Sequence, residues 1–383
     1  ALRKKTKHLE KEFRQRGHIL SLAPHSARSP REAQHPPRRA KTGSTMRPIS
    51  HPIQVTSIIH HIDRFYQRQE RISIAISKAM RAALKALSYP DIDIRKSYPL
   101  KRQIDTAVGK KIGAAYETWD HTVQCGDHEV PVRLFASGNG ADDRILLFFH
   151  GGGWVTGNID SYNKICCQMA EATGHLVVSV DYRLAPEHRF PQGLEDCYAV
   201  AREVCLDASL FGVSARRITL IGDSAGGNLA AAVSLMARDR GEFLPARQIL
   251  IYPATWNDHT PASPFRSVTE NGTDYLLTSR RICDYMELYR GSAADLQNPY
   301  FAPLLAEDFT GLPETLVVTA QYDPLRDEGE EYAARLAEAG GDVVCRRMPD
   351  ALHGFLALPP QFAQVGRIYE WINAFLRERE ERV

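Results

Sequence analysis

A serine stands at the centre of Gly222-Asp223-Ser224-Ala225-Gly226, between a short apolar run, Ile218–Ile221, and a helix-like run from Asn228 to Arg240. The G-x-S-x-G spacing gains its meaning from that context. A strand, a sharp turn and a helix lift the hydroxyl clear of the chain, and the glycines allow a backbone too crowded for a Cβ. A serine presented in this way is a candidate nucleophile. It needs a base to take its proton, an acid to orient that base, and N–H donors for the negative charge that develops on a carbonyl oxygen.

Candidates for each partner occur in the right order. His150-Gly151-Gly152-Gly153-Trp154 follows the apolar run Ile145–Phe149, and consecutive glycines after a strand leave backbone N–H groups bare enough to approach a substrate oxygen. A phosphate cradle does not fit. No Gly-Lys-Ser/Thr follows, and Trp154 and Val155 stand where a G-x-G-x-x-G helix would open. Downstream, Asp323 lies just past the β-branched run Leu316–Ala320, at the carboxyl end of a strand, where α/β sheets present their working residues. Asp327 and Glu328 follow Pro324 and read as the first turn of the next helix, where acids favour the dipole. His353, in Leu352-His353-Gly354-Phe355, comes after the last strand-like run, Val343–Met348, where a general base should stand. Asp350 is a rival for orienting it, but Asp323 is preferred. The chain order serine, acid, histidine matches one class of triad.

Five segments in order carry a family resemblance: His150–Trp154, Asp181-Tyr-Arg-Leu-Ala-Pro-Glu187, Gly222-Asp-Ser-Ala-Gly-Gly227, Asp323-Pro-Leu-Arg-Asp327 and His353-Gly-Phe355. Together they resemble the hormone-sensitive-lipase-like branch of the α/β-hydrolases, the esterases with the GDSAG form of the serine turn. The likeness extends from roughly His121 to the C-terminus. It implies an α/β-hydrolase fold and hydrolysis of short- to medium-chain acyl esters, with no cofactor and no metal. It also implies that Gly152, Gly153 and Ala225 donate the oxyanion N–H groups, and that Asp181–Glu187 helps to hold the glycine loop. A triad does not choose its leaving group, so lactone and amide hydrolysis stay open. A non-catalytic ligand receptor on the same fold is a further alternative, against which the complete Ser224, Asp323 and His353 set argues.

The elements that must position these residues are legible as alternating runs. Glu117–Gln124 and Val130–Phe135 flank Gly126-Asp127 and predict an antiparallel hairpin. Strands are expected near 144–149, 175–182, 217–222, 247–252, 315–320 and 343–348, with helices near 160–172, 192–206, 228–240, 327–339 and 361–380. That alternation predicts a mostly parallel sheet covered on both faces. The stretch 255–303 is longer than a crossover requires and is assigned, together with 50–115, to a helical cap. Its aromatics, Trp256, Phe265, Tyr275, Tyr285 and Tyr289, suit the wall of an acyl pocket. From Ser57, the residues Ile58, Ile62, Phe65, Ile72, Ile76, Met80, Ala83 and Leu87 mark one face of a basic amphipathic helix that Tyr89-Pro90 ends. Residues 95–115 read as irregular or weakly helical.

A chain of 383 residues that is 43% hydrophobic can bury one large core, assigned to 46–383. Seven cysteines without a C-x-x-C argue against a disulfide framework or a zinc site and fit a reducing, cytoplasmic setting. No run of 18 apolar residues occurs, so no membrane span is expected. The formal net charge of +2 hides an asymmetry: residues 1–45 hold twelve Lys and Arg against three Glu, a net +9, leaving −7 for the remainder. The tail is poor in aromatics and is expected to be disordered. Met46 is a plausible natural start, in which case 1–45 is not native. The expected partner is a small acyl-ester substrate and not a nucleic acid, and monomer and homodimer are both open.

Overall fold

Pairing begins at the turn of Gly126, whose φ of 65° joins β1 (Thr118–Cys125) to β2 (His128–Phe135) as the expected antiparallel hairpin. The computed structural model describes residues 93–113, 118–137, 144–208 and 213–378. The tail and the helix expected from Ser57 lie outside these residues. After the hairpin come β3 (Ile145–Phe149), β4 (Leu176–Val180), β5 (Ile218–Asp223) and β6 (Arg247–Ile251), each buried at every position. Burial on both faces is why these strands read as continuous apolar runs instead of alternating ones. Glu314–Tyr322 (β7) and Val343–Leu352 (β8) complete one sheet in the order β1-β2-β4-β3-β5-β6-β7-β8. All pairs from β4 onward in that order are parallel, whereas β2 meets β4 antiparallel.

Helices cover both faces. On one side α3 (Gln192–Leu206), α4 (Ala225–Arg240) and α7 (Arg326–Glu338) share an apolar cluster with Leu147, Leu220 and Val317. On the other, α2 (Asn163–Thr173) and α8 (Ala363–Glu378) pack over Phe148, Ile221 and Val318. Alternate residues of each strand therefore serve opposite cores, as the two-residue period of a strand demands. Between β6 and β7 the chain makes α5 (Arg266–Glu270) and α6 (Ser279–Tyr289).

The stretch from residue 95, read as irregular or weakly helical, forms a regular helix, α1 (Ile94–Gly113), despite Pro99 in its interior. Its apolar stripe faces outward. Leu100, Ile104 and Val108 recur every four residues but are 60%, 53% and 54% exposed, while Tyr98, Arg102, Thr106 and Gly109 turn inward. Hydrophobic periodicity assumes the opposite arrangement. The start is fixed by Asp93, whose side chain accepts the Arg95 N–H and whose carbonyl accepts the Ser97 N–H. β8 also runs four residues past the expected strand, to Leu352, with Asp350 at φ 53°.

The central strands make a direct prediction. Leu147→Ala removes a fully buried side chain from β3, and should lower unfolding free energy by about 2–5 kcal/mol. Urea denaturation followed by circular dichroism measures this, with the native spectrum expected to stay unchanged.

Candidate active site

Ser224 occupies the single residue between β5 and α4, at φ 56° and ψ −118°, a backbone region that a side-chain-bearing residue rarely adopts. Neighbours hold it there. Its N–H donates to the Ile251 carbonyl at 2.9 Å, and its own carbonyl accepts the Asn228 N–H at 3.1 Å. The flanking glycines serve close approach and not positive φ. A Cβ on Gly222 would overlap the Gly226 carbonyl, and one on Gly226 would overlap the Phe149 carbonyl at the end of β3.

The three sequence-selected side chains meet. His353 Nε2 lies 2.9 Å from Ser224 Oγ, and His353 Nδ1 lies 2.7 Å from Asp323 Oδ2. Asp323 is fully buried beyond the end of β7, and its second oxygen accepts the Leu325 N–H at 2.9 Å. Asn271 braces the same residue by donating to its carbonyl at 3.1 Å. The His353 ring rests against Tyr252, 4.8 Å between centroids, and Gly354 turns the chain away at φ 80°. The carboxylate facing the imidazole is thus that of Asp323. Asp350 instead presents its backbone N–H to Gln321 Oε1 at 2.8 Å.

The glycine loop lies beside the serine. Gly152 and Gly153 take φ of 112° and 62°, and a Cβ on Gly153 would overlap the Tyr285 ring of α6. Ala225 is the first residue of α4, whose leading N–H groups have no carbonyl partner within the helix. The segment 181–187 ties the loop down at three points. The Tyr182 hydroxyl donates to the His150 carbonyl at 2.7 Å, the Ala185 N–H to the Trp154 carbonyl at 2.9 Å, and Asp181 accepts the Ile159 N–H at 3.2 Å.

A cavity of about 280 Å³ opens over these groups. Gly152, Gly153, Ser224, Ala225 and His353 line one side, and Leu276, Leu277, Ile282 and Tyr285 line the other. Of the aromatics expected to wall it, only Tyr285 does so. Tyr289 stacks on Trp154 at 4.6 Å in the buried layer behind, Trp256 meets Phe265 edge-on, and Tyr275 stacks on Tyr322. Trp154 both borders the cavity and donates from Nε1 to Asn228 Oδ1 at 3.2 Å. Among the described residues no cluster of His, Cys, Asp or Glu is arranged to hold a metal ion.

Two acids do more than sequence reasoning assigned them. Glu328, read as a dipole-favouring first-turn residue, does lie in the first turn of α7 but is fully buried. It accepts the Thr255 and Trp256 N–H groups and lies 2.6 Å from His259 Nε2, pinning the start of the 255–303 stretch. Asp223, a variable position of the pentapeptide, accepts the Gly151 N–H at 2.8 Å and the Tyr162 and Tyr252 hydroxyls at 3.2 and 3.4 Å. It joins the serine turn to the glycine loop. Burial pushes its carboxyl up to about 6, against the Gly151 hydrogen bond and the field of the His353 ring.

Residues 146–357 match the family described as the alpha/beta hydrolase fold. An arylesterase of Saccharolobus solfataricus is 38% identical over 250 residues, which are 65% of this chain and 80% of that protein. This chain is an α/β-hydrolase of the hormone-sensitive-lipase-like branch. The carboxylic ester hydrolase LipN of Mycobacterium tuberculosis (strain ATCC 25618 / H37Rv) is 41% identical over 238 residues, 60% of this chain and 62% of LipN. Among solved structures, the hyperthermophilic esterase of the archaeon Pyrobaculum calidifontis superposes with a TM-score of 0.70 at 33% identity, covering 80% of this chain and 99% of that one.

The raised carboxyl of Asp223 gives this hydrolase a measurable pH signature. In the unfolded chain an aspartate titrates near 3.9, so its native-state contribution is fully present below about pH 4 and is lost as pH rises through about 6. Asp223→Asn removes that loss. Its stability relative to the unsubstituted protein should rise by about 2–3 kcal/mol between pH 4 and pH 7, read from denaturation at each pH. A difference independent of pH would show that Asp223 titrates normally.

Proposed function

We propose that this chain hydrolyses short- to medium-chain carboxylic esters through a covalent acyl-enzyme on Ser224. The observation that carries the proposal is the continuous hydroxyl–imidazole–carboxylate line, 2.9 Å and 2.7 Å, at the floor of the cavity. His353 takes the Ser224 proton as Oγ attacks the ester carbonyl, and Asp323 holds the Nδ1–H tautomer and stabilises the imidazolium. The N–H groups of Gly152, Gly153 and Ala225 receive the oxyanion, a contribution of about 3–4 kcal/mol for a single donor in comparable sites. Collapse of the intermediate expels the alcohol, which takes the proton from His353. Water, deprotonated by the same ring, then releases the acid.

The names of the relatives support ester bonds as the target: arylesterase and carboxylic ester hydrolase. Cavity size supports small acyl groups, since about 280 Å³ sits at the lower edge of small-molecule sites, which run from about 300 to 1,000 Å³. The segments 94–113 and 255–303 act as the cap, with Leu276, Leu277, Ile282 and Tyr285 forming the wall against which the substrate lies. Seven unpaired cysteines suit a reducing compartment such as the cytoplasm.

Ser224→Ala should reduce kcat for 4-nitrophenyl butyrate by at least about 10⁴-fold while leaving thermal unfolding unchanged. Asp323→Asn should also lose activity, since an amide disturbs the tautomer of His353. Turnover by purified Ser224→Ala protein at the unsubstituted rate would remove the serine from the mechanism.

A further inference from the structure

Ester hydrolysis at Ser224 needs the glycine loop to hold its N–H groups in one place, and the outermost tie on that loop comes from α1. Arg102, on the inward face of α1, donates from Nε to the Val155 carbonyl and from Nη2 to the Ala185 carbonyl, each at 2.6 Å. Its Nη1 and Nη2 lie 3.1 and 3.0 Å from the Glu187 carboxylate. The guanidinium sits 4.7 Å over the Tyr98 ring, whose hydroxyl reaches Glu187 at 3.4 Å. Val155 and Ala185 are both fully buried, so this one cation serves the carbonyls of two buried residues.

Those two carbonyls belong to residues that fix the loop. The N–H groups of Val155 and Thr156 both close onto the Gly152 carbonyl, at 3.2 and 2.9 Å, and the Ala185 N–H holds the Trp154 carbonyl. A planar fork is suited to bridging the turn that sets Gly152 and the strap that sets Trp154, because its donors have fixed relative directions. α1 continues the attachment beyond Arg102. Asn158 Nδ2 donates to Thr106 Oγ1 at 2.7 Å, and Gly109 approaches the Asp160 carbonyl so closely that a Cβ would overlap it.

We propose that Arg102 is a positioning residue for the oxyanion donors, acting through the Val155 and Ala185 carbonyls without lining the substrate cavity. The inference rests on the hydrolase mechanism proposed above. It makes α1 a part of the catalytic scaffold as well as a cover. Oxyanion donors work only when held about 2.7–3.1 Å from where the charge develops, so loosening the turn lowers transition-state binding more than substrate binding.

The test uses the full chain, with active sites counted by titration so that rates are per functional site. Arg102→Met should lower kcat for 4-nitrophenyl butyrate by about 10- to 100-fold while KM changes less than about threefold. It should weaken inhibition by a trifluoromethyl ketone, which forms an oxyanion adduct on the serine, by a similar factor. Arg102→Lys keeps the charge but loses the fork, and should fall between the two. Glu187→Gln leaves both carbonyl bonds in place and should lose the least. Unchanged per-site kcat and ketone affinity in Arg102→Met, with only a lower melting temperature, would overturn the proposal. If that variant does not fold, wild-type values in Arg102→Lys overturn it instead. Failure of the hydrolase mechanism itself looks different: the unsubstituted protein would then show no turnover that Ser224→Ala removes.

Discussion

Everything in the site depends on how closely three backbone segments approach one another at the end of β5. The Gly222–Gly226 turn lies against the carbonyl of Phe149 with no room for a methyl group at either glycine. That contact sets the serine at its strained φ and brings the first turn of α4 next to the residues following β3. It also explains why the glycine loop and the serine turn behave as one unit. Asp223 spans the gap between them, and two tyrosine hydroxyls donate to its other oxygen. Burying a carboxylate is unfavourable, and its upward-shifted titration reflects this. The gain is rigidity where N–H donors must not move.

Much of this was legible from the chain alone, for physical reasons. Central strands of a doubly covered sheet must be apolar throughout, so β3 through β6 declared themselves, and the residues after β5, β7 and β8 followed as those at carboxyl ends. Asp323 was preferred over Asp350, and it is the carboxylate that faces His353. What failed to show was whatever depends on tertiary partners. α1 turns Tyr98, Arg102 and Thr106 inward and exposes Leu100, Ile104 and Val108, so which of its faces meets the body could not be read from hydrophobicity. Arg102 was invisible for the same reason: its role comes from two carbonyls more than 50 residues away in the chain. Glu328 read only as a dipole-favouring acid of a first turn because helix starts attract acids whether or not a neighbour covers them. The aromatic content of 255–303 was read as pocket wall, but Trp256 and Phe265 pack on each other, Tyr275 on Tyr322 and Tyr289 on Trp154.

Polar ties, more than apolar contact, connect the reactive groups to the sheet. Asp323 is braced by Leu325 and Asn271, Ser224 by Ile251 and Asn228, and the glycine loop by Tyr182, Ala185 and Asp223. Each brace satisfies a buried group that would otherwise be costly, and each restricts a rotamer or a peptide plane. Precision and stability therefore come from the same bonds.

The cavity has two sides with separate origins. Its floor is welded to strand ends and to tightly packed glycines, whereas its roof is carried on a few side chains of one inserted excursion between β6 and β7. Change confined to Leu276, Leu277 and Ile282 leaves in place Asn271, which braces Asp323 from the same excursion, and Tyr285, which packs on Gly153. Those three apolar side chains are accordingly where the fit to a substrate can change while the bond-breaking apparatus beneath stays the same.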